Sequence, residues 1–160
     1  MPSGVPERLV DRIIPYLMIN GAADAIAFYE RAFSARLDYS LNLPDGKVAH
    51  AEINVFGAPV YVADAPDEMP GLAGNPVKLG GTTVLLHVYV PDVDAAMAQA
   101  ADAGAVVLRE PADQFYGDRA GMVADPYGHQ WSLHTRLVDM TPEEMDAAMA
   151  EMMANMTAEG

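Results

Sequence analysis

An internal repeat constrains the fold of this 160-residue chain more than any other feature of its sequence. Three pairs of positions with the same expected role lie 71 residues apart. They are Ile26 and Met97 on helix stripes, Tyr29 and Ala100 on the same stripes, and Gly57 and Gly128 in turns. The order strand, helix, strand, strand, strand surrounds these positions in both halves. The sequence therefore predicts one βαβββ module that occurs twice.

Local patterns supply the elements of each module. Apolar residues at helical spacing, such as Ala22 and Phe33, predict the first helix, while Pro91-Asp92 and Gly104 mark the start and the end of the second. Alternating or β-branched runs predict strands. These strands cover residues 13–19, 36–43, 48–56 and 59–63 in the first half and residues 82–90, 106–109, 119–124 and 129–135 in the second.

The last two strands are expected to form a hairpin around the tetrapeptide Asp125-Pro126-Tyr127-Gly128. Asp can bond to its own backbone, Pro presets φ and Gly accepts a positive φ, so the tetrapeptide is typical of a turn. Trp131 follows on the strand face that points toward the helices, and we expect it in the core. His129 is expected to stabilise the turn through hydrogen bonds.

Module boundaries follow from composition. Glycine and proline are dense between Asp64 and Gly81 and oppose regular structure there. The expected ranges are 11–64 for the first module, 65–81 for a Gly/Pro-rich linker, 82–136 for the second module and 140–156 for a C-terminal helix. That helix carries an apolar stripe of Met145, Met149, Met152 and Met156. The stripe is predicted to pack on its own domain or on a dimer mate, or else to offer a groove to a ligand or partner.

Charge and composition exclude several classes of function. The chain has 9 Lys and Arg against 23 Asp and Glu, and its net charge of -14 disfavours binding to nucleic acids or anionic membranes. It has no Cys and therefore no thiolate nucleophile or thiolate metal ligand. No apolar run is long enough to span a membrane, and no phosphate-loop or dinucleotide motif is present. By elimination, we expect a cytoplasmic protein.

The predicted modules and several short motifs resemble the vicinal oxygen chelate superfamily, which includes glyoxalase I, bleomycin-resistance proteins, fosfomycin-resistance enzymes and extradiol dioxygenases. Residues 11–136 carry the resemblance, through the paired modules, Phe28-Tyr29 with Phe33, and the turn Asp125 to His129. Further motifs are similar to the PhnB-like branch: Pro15-Tyr16-Leu17, His50-Ala51-Glu52, Gly117-Asp118-Arg119, Trp131-Ser132-Leu133 and Asp139 to Glu144. The resemblance implies an α+β fold in which two βαβββ modules form a cup-shaped, mixed β-sheet, with the C-terminal helix added.

The resemblance also locates the positions that hold a metal ion in metal-dependent members. They fall on Ile14, Tyr61, Leu85 and Ser132, none of which is a His or a carboxylate. We therefore expect no metal cofactor, and neither glyoxalase I nor dioxygenase activity of the usual kind. The alternative is a lyase, isomerase or dioxygenase of this superfamily with a shifted site at His87 and His134, or a metal-free acid–base catalyst on the same pair.

The leading hypothesis is a protein that binds a small organic ligand and sequesters it, as the bleomycin-resistance resemblance implies. The cup would be lined by Tyr16, Met18, Tyr61, Leu85, His87, Tyr89, Ser132 and His134. The acidic surface favours a cationic ligand. We expect a homodimer, and the sequence leaves open whether one chain forms each cup or two chains exchange modules.

Four further residues are candidates for the site. His50 and Glu52 share a strand face and form either an acid–base pair or a surface pair. Tyr116 either overhangs the cavity as an aromatic lid or covers the edge of the core. Arg119 either forms an ion pair with Asp118 or holds an anionic group of the ligand.

Overall fold

Two four-stranded sheets, one from each half of the chain, form the framework of the protein. The computed structural model describes residue 4, residues 7–65 and residues 74–158. A 3-10 turn at Glu7–Leu9 precedes the first module, which contains β1 (Tyr16–Ile19), α1 (Ala22–Phe33), β2 (Arg36–Asn42), β3 (Val48–Val55) and β4 (Ala58–Asp64). After α2 (Pro76–Leu79) come β5 (Leu85–Tyr89), α3 (Val93–Ala103), β6 (Val106–Asp113), β7 (Asp118–Ala124), β8 (Gln130–Arg136) and finally α4 (Pro142–Ala158).

The sheets have the same topology. Their strand orders are β1-β4-β3-β2 and β5-β8-β7-β6. The first strand of each module pairs in parallel with the last, and all other neighbours are antiparallel. The predicted α+β fold of two mixed-sheet modules and a C-terminal helix is confirmed.

Strand register confirms the predicted 71-residue repeat. Tyr16 lies opposite Tyr61 in the first sheet, and His87 lies opposite Ser132 in the second. Both members of the second pair are 71 positions beyond those of the first. The turn glycines Gly57 and Gly128 share a φ of 88°.

Each module fastens its helix to its last strand in the same way. The Asp64 carboxylate accepts hydrogen bonds from the backbone N–H groups of Gly21 (2.9 Å) and Ala22 (3.0 Å) at the start of α1. At the matching place, the Thr135 hydroxyl accepts one from the backbone N–H of Val93 (2.8 Å). Both contacts satisfy otherwise unpaired N–H groups at a helix start.

The helix-covered faces of the two sheets share one core. Helix α1 contacts α3, and the Gln99 side chain donates hydrogen bonds to the Arg31 carbonyl (2.7 Å) and the Ser34 hydroxyl (3.0 Å). Trp131 is buried, as predicted, and its ring lies 4.6 Å from that of Phe33 in the other module. The modules therefore pack with their covered faces together.

Asp125 joins the modules through a buried carboxylate. Oδ1 accepts the backbone N–H groups of Tyr127 (3.0 Å) and His129 (2.9 Å), which closes the predicted turn. Oδ2 accepts the Tyr29 hydroxyl from α1 (2.8 Å) and the indole N–H of Trp131 (3.0 Å). The residue is only 4% exposed. A residue predicted to shape a turn therefore also links the two halves of the chain.

Four predicted elements differ in extent by several residues. Strand β5 begins at Leu85 rather than at residue 82, and β6 continues to Asp113 rather than ending at residue 109. Strand β1 begins at Tyr16 rather than at residue 13, because pairing starts where the Pro15 carbonyl accepts the Tyr61 N–H (2.9 Å). The predicted linker contains the short helix α2, which starts where the Asn75 side chain accepts the Lys78 N–H (2.9 Å). Residues 66–73 of that linker lie outside the described part of the chain.

Helix α4 begins at Pro142 after a capping box, and most of its methionine stripe is exposed. The Thr141 N–H donates to Glu144 Oε2 (2.8 Å), and the Glu144 N–H donates to the Thr141 hydroxyl (3.2 Å). Met145, Met149 and Met156 are 37%, 41% and 68% exposed and Met152 is half-buried, so the described part of the domain does not bury the stripe. Packing of the stripe on a dimer mate stays a prediction. The described helices include none that is both long and apolar enough to cross a membrane.

Replacing Asp125 with Asn should destabilise the protein. In the variant, the amide nitrogen at position 125 would replace one carboxylate oxygen and would face N–H or O–H donors whose hydrogen bonds it cannot accept. The free energy of unfolding should fall by about 2–4 kcal/mol. Urea denaturation measures this change. The matched control is Asp139→Asn, because the Asp139 side chain is 97% exposed. Equal midpoints for the two variants would contradict the role assigned to the Asp125 carboxylate.

Candidate functional site

Each sheet has one face covered by its helix and one open face. The first open face carries Tyr16, Met18, His50, Glu52 and Tyr61, and the second carries Leu85, His87, Tyr89, Ser132 and His134. The sequence places members of both sets around one cup. Within one chain, the two sets do not line a common cup. The covered faces of the two sheets pack together, so the open faces lie on opposite sides.

A cavity of about 400 Å³ lies over the second open face. Its lining excludes Tyr16, Met18 and Tyr61 and consists of Leu85, His87, Tyr89, Arg109, Tyr116, Asp118, Met122, Ser132, His134, Arg136 and Met145. Apolar side chains and a few convergent polar groups are typical of a small-molecule site. Met145 is the contribution of α4.

A chain of three buried polar side chains forms the floor of this cavity. Ser132 Oγ lies 2.8 Å from His134 Nε2, and His134 Nδ1 lies 3.1 Å from Asp118 Oδ2. Ser132, His134 and Asp118 are 6%, 4% and 1% exposed. An ionised carboxylate only accepts hydrogen bonds, which assigns the proton of neutral His134 to Nδ1. Nε2 then accepts the Ser132 hydroxyl proton, and the lone pairs of that hydroxyl remain available to a ligand.

Asp118 has two further partners on the same face. The Tyr89 hydroxyl donates to Asp118 Oδ2 (2.9 Å), and Arg136 Nη2 donates to the Tyr89 hydroxyl (2.9 Å). Arg136 Nε lies 2.5 Å from Asp118 Oδ1 in an ion pair, although its orientation gives Oδ1 no hydrogen bond. The buried carboxylate is thus neutralised by an arginine at the cavity edge.

Arg119 does not reach this cavity, which corrects its predicted place in the site and its predicted ion pair with Asp118. Strand alternation turns it to the covered side of β7. There its guanidinium binds Asp94 of α3 (2.6 and 2.8 Å) and Asp113 of β6 (2.8 Å). Arg119 therefore ties its strand to a helix and to the neighbouring strand.

His87 is one of the exposed polar groups of the second open face. Its ring stacks on that of His134, with centroids 3.9 Å apart and planes 29° apart, and its nitrogens form no hydrogen bond with any described residue. Burial lowers the pKa of His87, the adjacent His134 lowers it further, and Asp118 opposes both. At neutral pH, His87 therefore offers a ligand one N–H donor and one acceptor.

The two histidines do not fit the shifted metal site proposed from the sequence. The nitrogen lone pairs lie in the ring planes, and stacked rings do not direct them at one point. Both nitrogens of His134 are also engaged, by Ser132 and Asp118. Among the described residues, His, Asp and Glu form no cluster of three or more suited to a metal ion.

Tyr116 lines the cavity near His134, at the position expected for an aromatic lid. Its ring is 6.3 Å from that of His134, at an interplanar angle of 30°. Met122, Arg136 and Met145 also line the cavity, although sequence reasoning did not select them. Strand alternation from Ser132 and His134 would have found Met122 and Arg136, but no sequence signal places Met145 there.

The first open face holds the other predicted pair. The Tyr16 hydroxyl lies 2.8 Å from His50 Nδ1, and His50 Nε2 lies 3.8 Å from Glu52 Oε1. The Tyr61 ring packs edge-on against that of His50, with centroids 4.8 Å apart. His50 and Glu52 share a face, as predicted, and the contacts of His50 are with protein groups.

A larger cavity of about 570 Å³ lies between the modules, with Met18, Leu86 and His129 among its lining residues. It adjoins Gly74, the point at which the described chain resumes after residue 65. Its described lining residues form no connected polar network like that of Asp118, His134 and Ser132. The cavity over the second open face is therefore the better candidate for a specific site.

Comparison with known proteins agrees with this fold. The model of the Glyoxalase/Bleomycin resistance protein/Dioxygenase superfamily matches residues 10–133. The chain belongs to this superfamily. The family resemblance predicted from the sequence is confirmed.

Individual relatives extend the match. The uncharacterized protein Mb0911c of Mycobacterium bovis is 42% identical over 137 residues, which cover 85% of this chain and 90% of that protein. The solved structure of the At5g48480 product of Arabidopsis thaliana is 30% identical, with a TM-score of 0.61 over 76% of this chain and 96% of the other. A PhnB protein from Bacillus cereus shares the fold at 18% identity, with a TM-score of 0.58 over 78% of this chain and 98% of the other.

Proposed function

We propose that the protein binds a small organic molecule in the cavity over the second open face, with His87 as its principal polar contact. The buried network of Asp118, His134 and Ser132 is the observation that supports this most strongly. Burying an imidazole and a carboxylate costs free energy unless every partner is in place. A network with this free-energy cost is expected where it serves a function.

The first module suggests that the fold alone does not require this network. By the 71-residue repeat, Ala63 occupies the place of His134, Tyr61 that of Ser132, and Met18 that of Tyr89. The same sheet topology thus forms without the network. The second open face is specialised, and ligand binding explains its specialisation.

Binding and sequestration fit this geometry better than covalent catalysis. Ser132, His134 and Asp118 have the order of a hydrolytic relay, but Ser132 lies on the central strand β8, whose backbone pairs on both sides. Its neighbouring N–H groups are therefore committed to the sheet and cannot form an oxyanion hole. The same relay favours acid–base catalysis on a bound ligand as a second candidate function.

Thermal shift with a library of small organic compounds, in chelator and again with divalent metals, tests the proposal. Compounds should raise the melting temperature without a metal requirement. His87→Ala should weaken their binding about tenfold, because ligand hydrogen bonds are lost. His50→Ala is the matched histidine change on the first open face and should change affinity less than about threefold, because His50 is engaged with Tyr16 and Glu52 even where that face covers the cavity in a dimer.

Two other outcomes of that screen are decisive. Loss of binding in His50→Ala, with His87→Ala unaffected, would move the site to the first open face and contradict the proposal. Conversion of a bound compound, followed by mass spectrometry, would favour the second candidate function over sequestration.

We further propose a homodimer in which the first open face of one chain covers the second open face of another. Both faces expose large apolar side chains, among them Tyr39 (51%), Leu41 (51%) and Leu85 (46%). The faces also differ in charge, with Glu52 on the first and Arg109 and Arg136 on the second. Such a pair would reunite the two residue sets predicted to line one cup.

Light scattering should give twice the 17.1 kDa mass of the chain. Leu41→Asp would place a charge in the interface and should shift the protein toward the monomer. Val77→Asp, at a site that is 66% exposed on α2, is the control and should stay dimeric. A monomeric wild-type protein at micromolar concentration would contradict the dimer proposal.

The proposed location is the cytoplasm, as expected from the sequence. Because the chain contains no Cys, its fold does not depend on an oxidising compartment. The proposed ligand site requires no metal cofactor, and the net charge of -14 argues against nucleic acids and anionic membranes as partners.

A further inference from the structure

Arg109 lines the cavity over the second open face and has no acidic partner among the described residues. The other arginines of the two sheets are all paired. Arg36 binds Asp38, Arg119 binds Asp94 and Asp113, and Arg136 binds Asp118. An unpaired arginine at a cavity in a chain with 23 acidic residues is a distinct feature of this face.

A β-bulge turns Arg109 toward the cavity. Val107 lies opposite Val123 on the covered side, and a regular strand would place Arg109 on that same side. The register slips by one residue between them, so Arg109 lies opposite Met122, which lines the cavity. Bulges commonly re-aim side chains next to functional sites.

The first module has the same bulge with a different residue. Its register slips between Leu37 and Tyr39, so that Tyr39 lies opposite Glu52 on the first open face. The bulge itself thus belongs to the shared architecture. The arginine at the bulged position occurs only in the second module. The fold therefore does not require an arginine there.

The charges of the cavity leave one cation uncompensated. Among its lining residues, Arg109 and Arg136 are positive and Asp118 is negative. Asp118 is buried and already held by Arg136, Tyr89 and His134. Arg136 also pairs with the exposed Asp139 (3.6 Å), so Arg109 is the lining cation that keeps no carboxylate partner, in a chain with a net charge of -14.

We propose that the cavity binds an organic anion and that Arg109 pairs with its carboxylate group. This inference rests on the proposed binding function and reverses the expectation of a cationic ligand, which followed from the average charge of the surface. A guanidinium group binds a carboxylate through two parallel hydrogen bonds. The local field at the site, rather than the net charge, selects the ligand.

The remaining lining residues define the rest of this ligand. Tyr116 is near enough to Arg109 to respond to its charge: burial raises the pKa of the Tyr116 hydroxyl, Asp118 and Tyr89 raise it further, and Arg109 lowers it. Tyr116 and Arg109 both line the cavity. Leu85, Met122 and Met145 supply an apolar wall for the body of the ligand. The expected class is a carboxylate carried on an aromatic or aliphatic group.

Calorimetric titration with matched probes tests the assignment. Benzoate is compared with benzamide, and 4-phenylbutyrate with 4-phenylbutyramide, at low salt, with phenylphosphonate as a third oxyanion. The full-length protein should bind each carboxylate at least about tenfold more tightly than its amide. Arg109→Gln should remove this preference by weakening the carboxylate alone, and added salt should reduce it. Arg31→Gln, an equal change of charge at an exposed position of α1, should retain it.

Each other result overturns a defined part of the assignment. If an amide binds as tightly as its carboxylate, or if Arg109→Gln retains the preference, the anion assignment fails while the proposed binding function stands. Binding of phenylphosphonate without either carboxylate would overturn the choice of headgroup. If no member of either pair binds while a compound of the library raises the melting temperature, the anion assignment fails and the proposed function stands.

Discussion

The buried carboxylate of Asp125 is the contact on which the arrangement of the two modules depends. One oxygen closes the turn of the second module, while the other accepts the Tyr29 hydroxyl of the first and the Trp131 indole. With the Phe33 and Trp131 rings in contact beside it, this junction holds the two covered faces together. The open faces consequently point away from the shared core as two distinct surfaces.

Duplication explains how one of these surfaces could specialise. Both modules keep the same sheet order, parallel pairing and bulge, so the backbone tolerates different residues on the open face. Where the first module has Ala63 and Tyr39, the second has His134 and Arg109. The Asp118, His134 and Ser132 network and the unpaired arginine are therefore additions to a fold that forms without them.

The sequence predicted what local rules determine. Hydrophobic periodicity, turn chemistry and the 71-residue repeat located the helices, the order of the strands and the last hairpin. The sequence did not predict that Asp118 binds His134. Arg119 is the next residue to Asp118 along the chain and was the expected partner, but neighbouring residues of a strand point to opposite faces of the sheet. Arg109 was missed because a bulge breaks that alternation. The exposure of α4 depends on what the helix packs against, which its Met stripe alone does not encode.

The proposed ligand site lies on the second open face. The most direct test is a crystal structure of the protein with 4-phenylbutyrate. The ligand should lie beside His87, within hydrogen-bonding distance of a ring nitrogen or the Ser132 hydroxyl, with its carboxylate toward Arg109. A ligand bound instead in the cavity between the modules, beside Leu86 and His129, would contradict this placement.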